Sequence, residues 1–482
     1  MSTPRDLRFD QQMSDHEALM WNIEKDPWLN PNGGAVVILD KPIDASQFIR
    51  RIRYAVAQIP RLREKVSPGL GRLSPPSWVP DQEFDLDYHI RELRLPEPGT
   101  DRQLLDLTSR LYEEPLDRTR PLWRFVHISG LSDGRGALWT LMHHTVADGM
   151  GQLRIAEMFQ ELNREDELPP EVDLDAIIAE AAGIHSPDDS GSAASSLLDA
   201  ASRTLGHVVR RQAGVARRVA GELSMWPADP RRARDSALSV AHLAQSTIGQ
   251  MTGTANEVEG GSDLWANRSR RRHLEALTLD LDEVKSAAKA HQVTVNDIFV
   301  AGLVEGAVAY HDKRGIEVEA FNTSFVLSTR TDGAVGGNSF TPVPVQVSGR
   351  KMDIAQRIGD VHSRIEVAKA EAMETGGITA LSGVVNLLPT SVVTQTVRGQ
   401  AAKIDFATSN LRGAAIPLYV SGALVLHNIP MGPVAGTAAN ITILSYNGLL
   451  DMGLFIDPVA ITEPSDFRDC AESAFQRIVA EI

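Results

Sequence analysis

Residues 137–162 read ALWTLMHHTVADGMGQLRIAEMFQEL, and no other stretch constrains the fold as tightly. Ala137 to Met142 is apolar and runs into two histidines, His143 and His144, with Asp148 and Gly149 just beyond. From Met150 the period changes: Ile155, Met158, Phe159 and Leu162 recur with the spacing of an amphipathic helix. The histidines therefore sit where a strand gives way to a turn and then a helix. Junctions of this kind open onto clefts, where catalytic groups concentrate. Successive strand side chains point to opposite faces, so the two histidines face apart. One is expected to reach a cleft and the other to pack inward, which implies two roles.

At 482 residues the chain exceeds the usual limit of one core, so two domains are expected. A net charge of −15 argues against nucleic acid as a partner. Cys470, the single cysteine, excludes an intrachain disulfide framework and a Cys-rich zinc site; it reads as a packed thiol. The N-terminus has no basic region followed by an apolar one, so no secretory signal is expected. No apolar run approaches the ~18 residues of a transmembrane helix. The expected compartment is reducing and cytoplasmic.

Along the chain, Ser14–Glu24 reads as a short helix and Ala35–Leu39 as a strand. Capping-box pairs mark helix starts at Asp44/Gln47, Thr100/Gln103 and Thr294/Asp297, and Asp280 with Glu283 starts another. Leu86, Tyr88 and Ile90 alternate as a strand. Trp123–Ile128 and Ala137–Met142 form a hairpin around Asp133-Gly134, and Asn447-Gly448 marks a second. Further strands are expected at Phe321–Ser328, Val343–Val347, Phe406–Leu411 and Leu418–Val425. Residues 186–196 are a low-complexity connector, and Leu197–Ala220 a basic amphipathic helix, either an interdomain element or a surface for anionic membranes. RSRRRH (268–273) concentrates cations, either solvated or gathered around an anion. Gly302 and Gly306 suggest a helix that another element approaches closely.

HHTVADG resembles the HHxxxDG active-site motif of the CoA-dependent acyltransferases related to chloramphenicol acetyltransferase. Its surroundings narrow this to the bacterial wax ester synthase/diacylglycerol acyltransferase family. PLDRTRPLWRFVHISGL (115–131) is similar to that family's run into the motif, and VTVNDIFVAGLVEGA (293–307) to its Asn-Asp helix start. IPLYVSGA (416–423) and NITILSYNGLLDMGLFIDP (440–458) resemble its C-terminal part. The resemblance implies an α/β fold of two chloramphenicol-acetyltransferase-like domains, each a mixed sheet flanked by helices. The expected division is 1–180, a helical crossover at 181–262, and 263–482, with the active site in a tunnel between the domains. Two segments depart from the family: Pro27–Gly34 lacks its Pro-Met-His-Val-type run, and SDLWANRSRRR (262–272) replaces its Pro-Leu-Asn segment. Acyl length and acceptor are left open by both.

An acyl-CoA thioester is already activated, so transfer to an alcohol needs a base and oxyanion donors rather than an enzyme nucleophile. A histidine is largely neutral near pH 7, and a positioned base contributes ~10²–10⁴ in rate. The resemblance implies His144 as that base. It gives supporting roles to His143, Asp148, Gly149, Asn296 and Asp297, with Asp148 paired to an arginine, for which Arg330 is a candidate. Ser409 and Asn410 would face the acyl channel, and Arg270 and Arg271 the phosphates of CoA. Acyl-CoA is thus a co-substrate and no cofactor or metal is expected: His143, His144 and Asp148 have no recognisable further ligand to make a zinc site. No G-x-S-x-G elbow points to a serine hydrolase. A catalytically silent binding relative is disfavoured because the motif is intact. The reaction implied is esterification of diacylglycerol to triacylglycerol, with wax ester synthesis from fatty alcohols as the alternative. Peripheral contact with the inner membrane or a lipid droplet would accompany either.

Overall fold

The computed structural model describes residues 9–68, 75–185, 261–328, 340–374 and 390–481. Two six-stranded mixed sheets carry the fold. The first contains β1 (Asn32–Leu39), β4 (Ile90–Arg94), β5 (Trp123–Ser129) and β6 (Gly136–His143), together with β11 (Tyr419–Val420) and β12 (Ala423–Met431), in the order β11-β12-β1-β6-β5-β4. The second contains β7 (His273–Asp280), β8 (Ala320–Ser328), β9 (Phe340–Ser348), β10 (Phe406–Arg412), β13 (Ala439–Tyr446) and β14 (Leu449–Ile456), ordered β7-β14-β13-β10-β8-β9. A small pair, β2 (Glu64–Ser67) and β3 (Ser77–Pro80), stands apart. The α/β class and the two mixed sheets match the expectation.

Helices cover the sheets where their sequences carry caps and apolar stripes. α1 (Asp15–Ile23) starts at a Ser14/Glu17 capping box, and α2 (Ala45–Gln58) at Asp44, which accepts from the Ser46 and Gln47 backbones. α2 turns Phe48, Ile52 and Ala55 into the first core. α3 (Leu86–His89) is one turn where the alternation suggested a strand. Asp85 caps it by accepting from Asp87 N–H at 3.0 Å, so the chain enters the sheet only at Ile90. α4 (Asp101–Glu113) has its Thr100/Gln103 box. α5 (Gly149–Ala156) stops short of the expected Leu162: the chain leaves the helix at Glu157, and Glu161 pairs with Tyr419 of β11. Leu162, expected inward, is 62% exposed. α6 (Leu174–His185) closes the first half of the chain.

In the second half, α7 (Leu281–Ala290) and α8 (Val295–Asp312) pack with α9 (Ile354–Glu374) and α11 (Pro464–Ala480), while α10 (Thr390–Ala401) lies against α1. Gly302 and Gly306 have the role their spacing suggested. A Cβ at Gly302 would lie 2.2 Å from Phe475 Cε1, and one at Gly306 would lie 2.7 Å from Ala471 Cα, so α11 packs directly on the α8 backbone. Cys470 is buried in the same seam.

One strand crosses the expected division of the chain. β12, from far beyond position 263, pairs antiparallel with β1, joining Gly34 to Met431 and Ile38 to His427. The reading of Leu418–Val425 as one strand also fails, because Ser421 and Gly422 both have positive φ (48° and 74°) and make a tight turn between β11 and β12. β12 in turn touches the second sheet: Asn428 N–H donates to Asp451 of β14 at 2.7 Å. The two sheets are therefore tied through the Asp451 carboxylate, which also lies 3.0 Å from His427 Nδ1. The expected crossover, including Leu197–Ala220, lies almost entirely outside the described residues.

Candidate active site

β6 brings the two histidines to the open end of the first sheet, and the chain then turns through Thr145–Asp148 into α5. His143 is fully buried, opposite Asn32 of β1. Its Nδ1 accepts from Thr145 N–H at 3.0 Å and lies 2.7 Å from Thr145 Oγ1. A backbone N–H can only donate, so this Nδ1 carries no proton and the neutral ring holds its hydrogen on Nε2. Nε2 lies 3.3 Å from Glu24 Oε2, on a bent approach, with no other hydrogen-bond partner among the described residues. Glu24 in turn pairs closely with Arg118. That guanidinium donates to Trp21 O at 2.8 Å and covers the Trp21 ring at 3.4 Å. Burial pushes the Glu24 carboxyl up, but His143 and Arg118 more than offset it and hold it below the usual carboxylate range.

His144 is the first residue of the turn after β6 and is half-buried. Burial pulls its pKa down to about 4; the nearby Asp148 charge works against that shift, and His143 and His16 reinforce it. The ring is neutral at pH 7, the state a general base requires. Gly33 of β1 makes room for it. A Cβ there would lie 3.1 Å from His144 Nε2 and 3.2 Å from Gln152 Nε2, while Gln152 itself holds the turn by donating to Ala147 O at 3.2 Å.

Asp148 is the N-cap of α5 and accepts from Gly151 N–H at 2.8 Å. It therefore supports the turn geometrically; Arg330, its candidate partner, lies outside the described residues. Gly149 was expected to let the backbone turn, yet its φ is not in the left-handed region. Its reason is space: a Cβ would lie 2.9 Å from Leu411 Cδ2 of β10. This contact sets the motif against the second sheet, at the end of the strand that carries Ser409, half-buried, and Asn410, exposed.

Asn296 and Asp297 sit at the start of α8, where Asp297 is fully buried. Its Oδ2 accepts from the Thr294 backbone and hydroxyl, both at 2.9 Å, and lies 3.0 Å from His362 Nδ1 of α9. Of the cation run, Arg268 donates to Gly436 O, Ala402 O and Ile404 O, and Arg272 to Ser269 O and Arg271 O. Arg270 and Arg271 are exposed, and their guanidinium groups have no hydrogen bond or ion pair among the described residues. Among the described residues, no group of three or more His, Cys, Asp or Glu is placed to hold a metal ion.

Two family models match this chain. The wax ester synthase/diacylglycerol acyltransferase catalytic domain spans residues 13–299, and the C-terminal domain of the same family spans 336–479. The chain belongs to the wax ester synthase/diacylglycerol acyltransferase family. It is an acyltransferase. A Mycobacterium tuberculosis protein provisionally named as a diacylglycerol O-acyltransferase is 27% identical over 476 residues, 98% of this chain and 92% of that one. Another from the same organism, also provisionally named so, is 30% identical over 407 residues, covering 81% of this chain and 80% of its own. The fold is similar to the wax ester synthase/diacylglycerol acyltransferase from Marinobacter aquaeolei VT8, with a TM-score of 0.62 and 20% identity over 97% of this chain and 98% of that one. It is also similar to the first condensation domain of the calcium-dependent antibiotic synthetase, with a TM-score of 0.54 and 16% identity, covering 98% of each chain.

For this acyltransferase, sequence reasoning singled out the two histidines but not the groups around them. Glu24 and Arg118 stand far apart in sequence, the one read only as the end of a helix and the other only as part of a run that carries the resemblance. Gly33 lies in a segment noted solely as a departure from the family. Thr145 and Gln152 carried no signal, because a backbone-directed hydrogen bond leaves no periodicity to read.

Proposed function

We propose that this acyltransferase moves a long-chain acyl group from acyl-CoA to the free hydroxyl of diacylglycerol, with His144 as general base. The observation that supports this most directly is the split between the two rings: His143 is sealed, while His144 is neutral and half-buried beside Gly33. The acceptor oxygen attacks the thioester carbonyl as its proton passes to His144. The tetrahedral intermediate collapses, the C–S bond breaks, and the departing thiolate takes that proton. No acyl-enzyme forms, and positioning supplies much of the rate. The names of the mycobacterial relatives favour diacylglycerol as acceptor. The family also includes wax ester synthases, which keeps fatty alcohols as the competing acceptor.

Arg270 and Arg271 suit the phosphates of CoA, since each offers a planar, unpaired set of donors. Among the described residues no single helix is long and apolar enough to cross a membrane. Peripheral contact with the inner membrane or a lipid droplet belongs to this reading, because the acceptor and product partition into such phases.

The test offers one long-chain acyl-CoA with diacylglycerol and hexadecanol in competition and follows thiol release and ester products. Triacylglycerol as the main product is expected. Wax ester as the main product replaces the acceptor, and acylation of neither overturns the lipid assignment. Arg270→Ser with Arg271→Ser should raise KM for acyl-CoA by roughly fivefold, less at high salt, with kcat unchanged.

A further inference from the structure

We infer that Glu24, braced by Arg118, is a positioning residue for the base: it fixes the tautomer of His143 and, through it, the turn that aims His144. The chain of contacts is continuous. Arg118 is tied to the C-terminal end of α1 by its bond to Trp21 O and its stacking on the Trp21 ring, so it offers the Glu24 carboxylate a charge that cannot swing away. Glu24 is 11% exposed, and its Oε2 faces His143 Nε2. A carboxylate favours a hydrogen on that nitrogen. With Nε2 protonated, Nδ1 is an acceptor, and the atom it accepts from is the backbone N–H of Thr145, the residue immediately after His144.

The backbone on either side of His144 is therefore held: by His143 N–H on Leu122 O at 3.0 Å before it, and by Thr145 N–H on the His143 ring after it. If the hydrogen moved to Nδ1, two donors would face each other across 3.0 Å and the turn would have to open. The Thr145 hydroxyl, 2.7 Å from the same Nδ1, reinforces the acceptor role because it can turn its hydrogen toward the ring. Glu24 touches none of the reacting atoms and acts only through His143.

This also gives the run Pro115–Leu122 a physical purpose. Arg118 steadies Glu24 from one side, and Leu122 O anchors the His143 backbone from the other. Two residues of the run thus converge on His143, Arg118 through Glu24 and Leu122 through the backbone.

The test has one arm that needs no turnover and one that rests on the acyl-transfer reading. With ¹⁵N-histidine labelling, the His143 ring, identified by loss of its signals in His143→Asn, should report a single Nε2–H tautomer in the wild type. In Glu24→Ala it should report a mixture. A wild-type ring bearing its hydrogen on Nδ1 overturns the proposal whatever the enzyme does. In the kinetic arm, Glu24→Ala should lower kcat on the order of 10²-fold, as an ångström-scale misplacement of a base does, with KM for acyl-CoA and acceptor within about twofold. Glu24→Gln keeps an oxygen for Nε2–H and should recover most of that loss. His143→Asn, whose side-chain oxygen can stand near the Nδ1 position, should exceed His143→Ala in kcat. Equal kcat for Glu24→Gln and Glu24→Ala, or wild-type kcat in a folded Glu24→Ala, sinks the positioning role. Absence of turnover in the wild type itself counts against the acyl-transfer reading and leaves the tautomer arm to decide this one.

Discussion

At the start of α8, Asp297 is wrapped by the Thr294 backbone and hydroxyl and by His362, each at about 3 Å, and is fully buried. At the start of α5, Asp148 caps Gly151, and the histidine beside it, His144, keeps its ring half-buried next to the gap left by Gly33. Both sites combine a histidine, an aspartate and a helix N-terminus. The first closes the combination on itself, with one carboxylate oxygen of Asp297 clasping the start of α8 to α9. In the second, the bare Gly33 leaves room for the His144 ring, and the bare Gly149 lets Leu411 of the second sheet pack close against the turn. The lesson is that neither residue type nor ring exposure separates the two arrangements, since His362 and His144 are both half-buried; the partner of the carboxylate does, a histidine ring at Asp297 and the Gly151 N–H at Asp148.

The largest effect that would sharpen this contrast is expected from His144→Ala. Turnover per folded molecule should fall about 10²-fold or more, with melting temperature within a few degrees of wild type. A stable, fully active His144→Ala would remove the histidine-base mechanism. Next comes Gly33→Ala, which narrows the open site without touching its chemistry. The added methyl crowds His144 Nε2 and Gln152, so kcat should drop by about tenfold. Unchanged kcat would mean that the gap at 33 does not serve the ring.

Asp297→Asn tests the closed site. An amide keeps one oxygen for the Thr294 N–H and hydroxyl and the His362 ring but loses the charge that strengthens those bonds, which should cost about 1 kcal/mol of stability. Rate per folded molecule should stay near wild type. A selective loss of kcat at unchanged melting temperature would instead bring α8 into the catalytic machinery.

The smallest effect is in pH. His16, His89 and His144 are each held near a pKa of about 4 by burial, against about 6.5 when exposed. The unfolded chain takes up protons as pH falls through 6.5, while the folded chain does not until about 4. Stability should therefore be flat above pH 7 and decline between about 6.5 and 4. In the same series, kcat/KM per folded molecule should keep its plateau below pH 6 and fall only as His144 protonates. An acid limb centred near 6.5 would show a solvated base and erase the contrast with the buried ring.

Much of this was legible in the chain itself. The caps at Ser14, Thr100 and Thr294, the hairpin turns at Asp133-Gly134 and Asn447-Gly448, and the change of period after Gly149 are local, and local chemistry dictates them. Strand alternation suggested that His143 and His144 face apart, but β6 ends at His143 and His144 is already in the turn. What lay beyond the sequence is whatever depends on distant partners. No local pattern assigns β12 to the sheet of β1, ends α5 at Ala156 so that Glu161 can pair with Tyr419, or brings Glu24 and Arg118 to one histidine ring. Hydrophobic period records which face of an element is buried, and caps record where it starts. Which element lies across from it is settled only when the whole core packs, and there the fate of each histidine is decided.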